Sequence, residues 1–493
     1  MKPTRSMKPV SGNLLQNDLS PATRLVALAL FVFTVVLTGG GSRSDIASLP
    51  LLRGFAALTF FAMLAFVPAV TWRGIRIPLI LLGLLAAWMV VQLIPLSPAI
   101  WSTLPLRDRV VAIDELLGTG DRWRPISMTP TQTVNSLLAL IVPAAALLVA
   151  AAVPAGERIR LWWAIWGFGV ASAVFCLFQF VAGPRSLYYL YRITNEGSLV
   201  GLFANRNHNA LLLSLSILSA GWLAVNEIAS RTKRPLIVPM LIGSMVFFLL
   251  LILIIGSRFG LVFGSVSLFF CYLLVRWSYR FEPKPINQAR GRAHRRAAAA
   301  APAAPAARPA RRILLNLLPF LLIAGLVAVF YFSGRDNTVA RLVDGDGAEE
   351  IRIAALGTVA SLAKGQWLLG SGFGSFASVY QIVEPDTLLR QDYFNQAHND
   401  WLQLPIEGGL PAVLIFLAGA SWIVSGLVGA LRQRLRPLGV EFVEPIVLAG
   451  AFALIALNSI VDYPLRTQSL AMIAVFLLVI LARLRPTTGD STP

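Results

Sequence analysis

Charge is scarce in this chain, and histidine and cysteine are scarcer. Charged side chains make up 13% of the 493 residues, about half the ~25% of an ordinary soluble protein, which points to a lipid solvent. The two cysteines, Cys176 and Cys271, lie in apolar runs and form neither a disulfide framework nor a metal site. No Gly-x-x-x-x-Gly-Lys-Ser/Thr loop and no kinase signature occurs, so the common nucleotide-driven reactions are excluded. Apolar residues are what is plentiful: 56% of the chain, with a mean hydropathy of +0.71.

These residues gather into runs of the ~20 residues needed to cross a bilayer. The runs are 25–40, 54–71, 76–96, 132–153, 160–182, 209–226, 236–256, 259–277, 313–333, 410–430, 440–459 and 467–484. About twelve transmembrane helices of an all-α polytopic membrane protein are expected, with both termini on one side. The first run follows a polar, basic tail and lacks a small-residue cleavage pattern, so it reads as an uncleaved span.

Lysine and arginine set the orientation. The face carrying the N-terminus collects 26 of the 42 basic residues and 7 of the 24 acids, a net of +19. The other face holds the remaining 16 bases and 17 acids, a net of −1. The termini are therefore expected to be cytoplasmic, and the basicity is a topology signal that excludes nucleic acid as the expected partner. The organisation that follows is a tail at 1–24, spans one to eight within 25–277 with external loops 97–131 and 183–208, and a basic Ala/Pro-rich cytoplasmic linker at 278–312. Span nine is 313–333, a large external loop fills 334–409, spans ten to twelve lie within 410–484, and a tail ends the chain at 485–493. The linker's Ala/Pro repeat interrupts any helix, and it reads as a cytoplasmic connection touching anionic lipid at most; His294, among its arginines, is given no catalytic role.

The chemistry is outside. An external site has no nucleotide supply, so a reaction there uses an already activated substrate. Arg206, Arg258 and Arg352 lie on the outer side, where insertion does not favour cations. Arginine stays charged at any pH and pairs with phosphate oxygens, so these three are candidate anion ligands. The stretch NQAHNDWLQLPIEGGL at 395–410 crowds Asn395, His398, Asn399, Asp400 and Glu407 at the lip of a span. In a helix, Asn399, Gln403 and Glu407 would share a face, and Asp400 would point away from His398. The glycines at 370, 372 and 374 lack the strand and spacing of a dinucleotide fingerprint and read as a flexible turn.

These residues resemble the O-antigen ligase and polymerase superfamily of bacterial envelope glycan assembly. The resemblance rests on GLFANRNH at 201–208, SRFG at 257–260, Arg352, the glycine turn through Phe376, and AHNDWL at 397–402 through Glu407 and Gly409. QLIPLSPAIW at 92–101 is similar to an enlarged early loop of some members. Leu356 departs from a tryptophan that many members carry four residues after the arginine.

The resemblance implies a GT-C-type glycosyltransferase of the inner membrane, without cofactor or metal. Its partners would be an undecaprenyl-diphosphate-linked glycan as donor, a glycan or lipid A–core as acceptor, and the membrane lipids. Arg258 and Arg352, with Arg206, would hold the diphosphate. His398 would contact the acceptor hydroxyl, and Asn205, Asn207, Asn399, Asp400 and Glu407 would support the acceptor side. The chemistry of the residues agrees: fixed arginines can stabilise a departing diphosphate, and histidine is a base near neutral pH. A single displacement at C1 would invert the anomeric centre. Ligase-type transfer and Wzy-type O-antigen or exopolysaccharide polymerisation both remain open. A lipid-linked glycan transporter or flippase is the rival from another class, although no internal repeat of the transporter kind is evident.

Overall fold

The computed structural model describes residues 19–230, 234–281, 347–389, 394–434 and 439–485. The expected span 313–333, the linker from residue 282 with His294, and the acidic positions Asp336, Asp344 and Asp346 lie outside the described residues. What is described is an all-α polytopic membrane protein, with ten helices long and apolar enough to cross a bilayer and an eleventh, shorter apolar helix.

In chain order the principal helices are α1 (Pro21–Thr38), α2 (Leu49–Phe66), α3 (Arg76–Val91), α4 (Pro130–Ala139), α5 (Ile141–Ala152), α6 (Ile159–Ala182), α7 (Arg206–Ala229), α8 (Ile237–Ile255) and α9 (Arg258–Ser278). After the undescribed segment come α10 (Gly347–Gln366), α11 (Phe376–Val383), α12 (Asp400–Arg434), α13 (Val443–Asn458) and α14 (Gln468–Leu484). A two-residue antiparallel pairing, β1 (Pro95–Leu96) with β2 (Arg124–Pro125), closes the loop after α3.

Helix α7 is the axis of the bundle. Its best 18-residue window is 94% buried although it is the least apolar of the ten candidate spans. Small residues explain the apparent conflict, because they let neighbouring backbones approach and their hydroxyls bond across the interface. Ser219 Oγ donates to Trp162 O at 2.6 Å and Ser216 Oγ to Ile165 O at 3.2 Å, both on α6. A Cβ on Gly221 would stand 2.3 Å from Cys271 Sγ of α9, so that close approach requires glycine.

Polar caps mark where helices begin at one end of this bundle. Asn205 caps α7 by accepting from Asn207 N, and Ser257 caps α9 by accepting from Gly260 N. Asn399 Oδ1 accepts from Leu402 N at 3.1 Å at the start of α12, a standard N-cap arrangement. The helix therefore starts about ten residues before the apolar run at 410–430. Gly409, at φ 60° and ψ −164°, breaks it between a polar first segment and the apolar span.

Candidate active site at one end of the bundle

His398 lies immediately before α12, with its backbone in the left-handed region at φ 49°, which is uncommon for a side-chain-bearing residue. Asp400 N donates to Ser459 O at 2.9 Å, and Ala397 N donates to Gln403 Oε1 at 2.8 Å, which pins the strained residue from both sides. Its Nδ1 stands 3.5 Å from Asp462 Oδ1, in the loop between α13 and α14. His398 keeps 12% of its side-chain exposure and Asp462 only 1%. The imidazole keeps some contact with solvent and the carboxylate has almost none.

Asp462 is the hub. Its Oδ2 accepts from Asn205 Nδ2 and Asn207 Nδ2, both at 3.1 Å, and its Oδ1 accepts from Tyr463 N at 3.0 Å. His208 Nε2 is 3.7 Å from Oδ1, and its Nδ1 pairs with Thr467 Oγ1 at 3.0 Å. Burial alone would raise the Asp462 pKa, but the imidazoles of His208 and His398 hold it well below the usual carboxylate range. For His398 burial dominates and lowers the pKa below its ordinary value, outweighing the pull of Asp462; the charge of Arg352 pushes in the same direction. Nδ1 makes no hydrogen bond in this geometry, but the carboxylate 3.5 Å away favours the ring proton on Nδ1, the tautomer that leaves the Nε2 lone pair free to accept a proton. Among the described residues no group of His, Cys, Asp and Glu is arranged to hold a metal ion.

Residues 243–417, about a third of the chain, match the family model described as O-antigen ligase. The chain carries an O-antigen ligase domain. It is a multi-pass membrane enzyme of the ligase/polymerase type, whose substrates are in general a lipid-linked glycan and an acceptor. No curated protein matches it.

The ligase domain contains Arg258, Arg352, the glycine turn, His398, Asp400 and Glu407. Arg352 is on α10, near enough for its charge to act on His398 and Tyr463. Arg258 is the first residue of α9, whose Gly260 packs on Ala210 near the start of α7. Arg206 is the first residue of α7, two positions from His208, and its backbone N donates to Asn195 Oδ1 at 3.0 Å. Both arginines place a cation at the positive end of a helix dipole, the less favourable end for it.

The other carboxylates have different work. Arg466, from the loop before α14, reaches Asp400 Oδ1 through Nε and Glu407 Oε2 through Nη1, both at 3.0 Å. Glu407 Oε1 accepts from Gln403 Nε2 at 3.0 Å and Phe376 N at 3.2 Å. Gln403 and Glu407 share a face of α12 and are hydrogen-bonded, whereas Asn399 stands before the helix and spends its carbonyl oxygen on the cap. Asp400 and Glu407 are thus positioning groups in this arrangement, tying α12 to the α13–α14 loop.

The expected flexible glycine turn is instead a packed clamp. Ser371 N and Gly372 N donate to Ile406 O and Glu407 O at 2.8 and 3.0 Å. A Cβ on Gly370 would fall 2.3 Å from Glu407 O, and one on Gly372 would fall 2.4 Å from Ser127 Oγ. Gln92, fully buried, donates through Nε2 to Leu369 O and Glu407 O and accepts from Phe373 N. The backbone amides are consumed by this packing, which is why the turn is rigid.

Four functional candidates escaped the sequence reading: Asp462, Tyr463, Arg466 and the role of His208. The first three lie within the seven residues, 460–466, between two apolar runs. The available signal was an acid and an arginine in so short a hairpin, since ionisable groups at a membrane border seldom occur without a partner.

Proposed function

We propose that this protein is an O-antigen ligase-like, inverting glycosyltransferase of the bacterial inner membrane. It moves a glycan from undecaprenyl diphosphate to an acceptor hydroxyl, lipid A–core or a similar glycan, at the periplasmic face and without a metal. One arrangement carries the reading: a partly open imidazole, its pKa lowered chiefly by burial, backed by a buried carboxylate and within the field of Arg352.

In this mechanism His398 Nε2 takes the proton of the acceptor hydroxyl as its oxygen attacks C1 of the lipid-linked sugar. The C1–O bond to the diphosphate breaks on the opposite side, so the configuration inverts. Asp462 keeps the ring oriented and stabilises the imidazolium that forms. Arg352, Arg258 and Arg206 meet the negative charge gathering on the leaving diphosphate. Binding the diphosphate also offsets the charge of Arg352, which otherwise weighs against protonation of His398; the base therefore strengthens when the donor is in place. Asn205 and Asn207 act through Asp462, and Asn399, Asp400 and Glu407 through the geometry of the His398 segment.

The test is purified protein in liposomes with lipid-linked glycan and either lipid A–core or a second lipid-linked repeat as acceptor. Product with the first acceptor supports ligation and product with the second supports polymerisation. Movement of the glycan between leaflets with no new glycosidic bond would instead assign a transporter. Turnover is expected to survive excess EDTA. Arg258→Lys is expected to lower kcat/KM by roughly tenfold or more, because an ammonium cannot reproduce the bidentate fork. Loss of activity in chelator with recovery on adding magnesium would overturn the arginine assignment.

A further inference from the structure

The turn between α1 and α2 lies at the same end of the bundle as His398: Ala204 N donates to Gly40 O and Ser469 N donates to Gly39 O. Arg53 stands ~6 Å further in along α2, four residues from its start, and is the helix's sole charged residue. An ionisable group inside a span is a candidate site. Among the described residues no acid pairs with Arg53, and its hydrogen bond is to a neutral group: Nη1 donates to Asn135 Oδ1 of α4 at 2.7 Å.

What this pair leaves accessible is of one kind. Arg53 Nη2 and Asn135 Nδ2 have no hydrogen-bond partner among the described residues, and neither is buried. Both are N–H donors, whereas the acceptor, Asn135 Oδ1, is occupied by Nη1. A fixed positive charge with spare donors suits an anion with several oxygens, a phosphate above all. Further in, both helices turn apolar. Ala57, Phe60 and Leu64 follow Arg53 on its face of α2 at i+4, i+7 and i+11, and Leu138 follows Asn135 at i+3 on α4. Leu64 and Leu138 are exposed. A phosphate held by the pair would stand above a strip open to hydrocarbon chains, which is the order of groups in a phospholipid.

Snorkelling alone does not account for this arrangement, because a snorkelling side chain carries its charge out to the headgroups, whereas this guanidinium is tied to the neighbouring helix. Charge selects among lipids. A zwitterionic headgroup brings a cation of its own and leaves Arg53 uncompensated; an anionic one neutralises it. Neither α2 nor α4 contributes a residue to the His398–Asp462 arrangement, so this pair is separate from the candidate site of transfer.

We propose that Arg53 and Asn135 form a binding site for an anionic phospholipid of the bilayer, whose phosphate they hold and whose acyl chain lies along the seam between α2 and α4. Full-length protein in a neutral detergent is titrated with phosphatidylglycerol, phosphatidylethanolamine or undecaprenyl diphosphate, and bound lipid is counted by native mass spectrometry. Phosphatidylglycerol is expected to bind more tightly than phosphatidylethanolamine. Arg53→Gln, which keeps a donor for Asn135, is expected to weaken phosphatidylglycerol by about fivefold or more. Arg109→Gln, at an exposed position in the loop after α3, removes the same charge and should leave that affinity in place. Should Arg53→Gln fold poorly, Arg53→Lys takes its place; it keeps the charge, loses the fork, and is expected to bind phosphatidylglycerol less tightly than the parent. Equal binding of phosphatidylglycerol by the parent and the folded Arg53 variant overturns the site and leaves Arg53 an anchoring residue, as does equal binding of the two phospholipids by the parent. Displacement of phosphatidylglycerol by undecaprenyl diphosphate, with binding of the latter lost in Arg53→Gln, assigns the pair to the donor and also overturns the proposal. The measurement needs no turnover, so its outcome is independent of the transferase reading.

Discussion

Replacing His398 with alanine is expected to lower transfer by on the order of 10²–10⁴-fold, the usual cost of losing a general base, with normal membrane levels and intact binding of the lipid-linked donor. The separation follows from where the side chain stands. His398 is partly open, and its Nδ1 approaches Asp462 without a short hydrogen bond, at 3.5 Å, so little of the fold depends on it. Its aromatic neighbours Phe394 and Tyr463, at 5.7 and 4.8 Å between ring centroids, lose a contact and remain packed on others. His208→Ala should differ. That imidazole is 1% exposed and pairs with Thr467, so its removal should reduce folded yield together with activity. Reconstituted turnover, normalised to folded protein, separates the two. Near-normal turnover of His398→Ala would remove the base assignment.

The second large effect is on stability. Arg466→Met is expected to destabilise the protein by about 3–5 kcal/mol, the range for breaking one side of a buried ion pair. One guanidinium serves two carboxylates here, and Glu407 is 1% exposed. Without it both charges lose their partner, the α12 segment loosens from the α13–α14 loop, and the glycine clamp bonded to Ile406 and Glu407 goes with it. Arg466→Lys should recover only part of the loss, since a point charge cannot reach both carboxylates through separate nitrogens. Adding Glu407→Gln to Arg466→Met should recover more, because one orphaned charge is gone. Thermal unfolding in detergent, followed by a buried-thiol probe at Cys271, checks the series. Arg466→Met as stable as the parent would mean the pairs contribute nothing.

Much of this architecture was readable without coordinates. Apart from the start of α12, hydropathy located the described apolar helices to within several residues, because lipid leaves the backbone no alternative to helix and apolar runs of that length have few other uses. The largest discrepancy, at α12, has a local cause: Asn399 caps a polar first segment that Gly409 then breaks, so the helix begins well before its apolar part. The site was half legible. Arg258, Arg352 and His398 stand out as ionisable groups beside apolar runs. Asp462 did not, since its meaning comes from His398, 64 positions earlier, and from Asn205 and Asn207 in another loop. Such a pairing is a property of how α7, α12 and α14 meet, and no local pattern encodes it. The same holds for Arg466, whose partners identify themselves only once α12 is docked. Asp462 and Arg466 also lie beyond residues 243–417, the segment that matches the O-antigen ligase family, so that match alone does not point to them.

The most direct test of the central claim, that His398 acts as a base held by Asp462, is the acid limb of kcat/KM in the wild type and in Asp462→Asn. Burial and the charge of Arg352 lower the His398 pKa, while Asp462 pulls it up. The imidazole therefore stays unprotonated below its ordinary value of about 6.5, and activity should be lost only as pH falls through that lowered value. Removing the carboxylate removes the upward pull, so in Asp462→Asn the limb should move to still lower pH. The plateau should drop by on the order of 10²-fold or more as the ring loses its orientation. A wild-type acid limb above 6.5, or one that Asp462→Asn leaves in place with the plateau unchanged, would contradict the account.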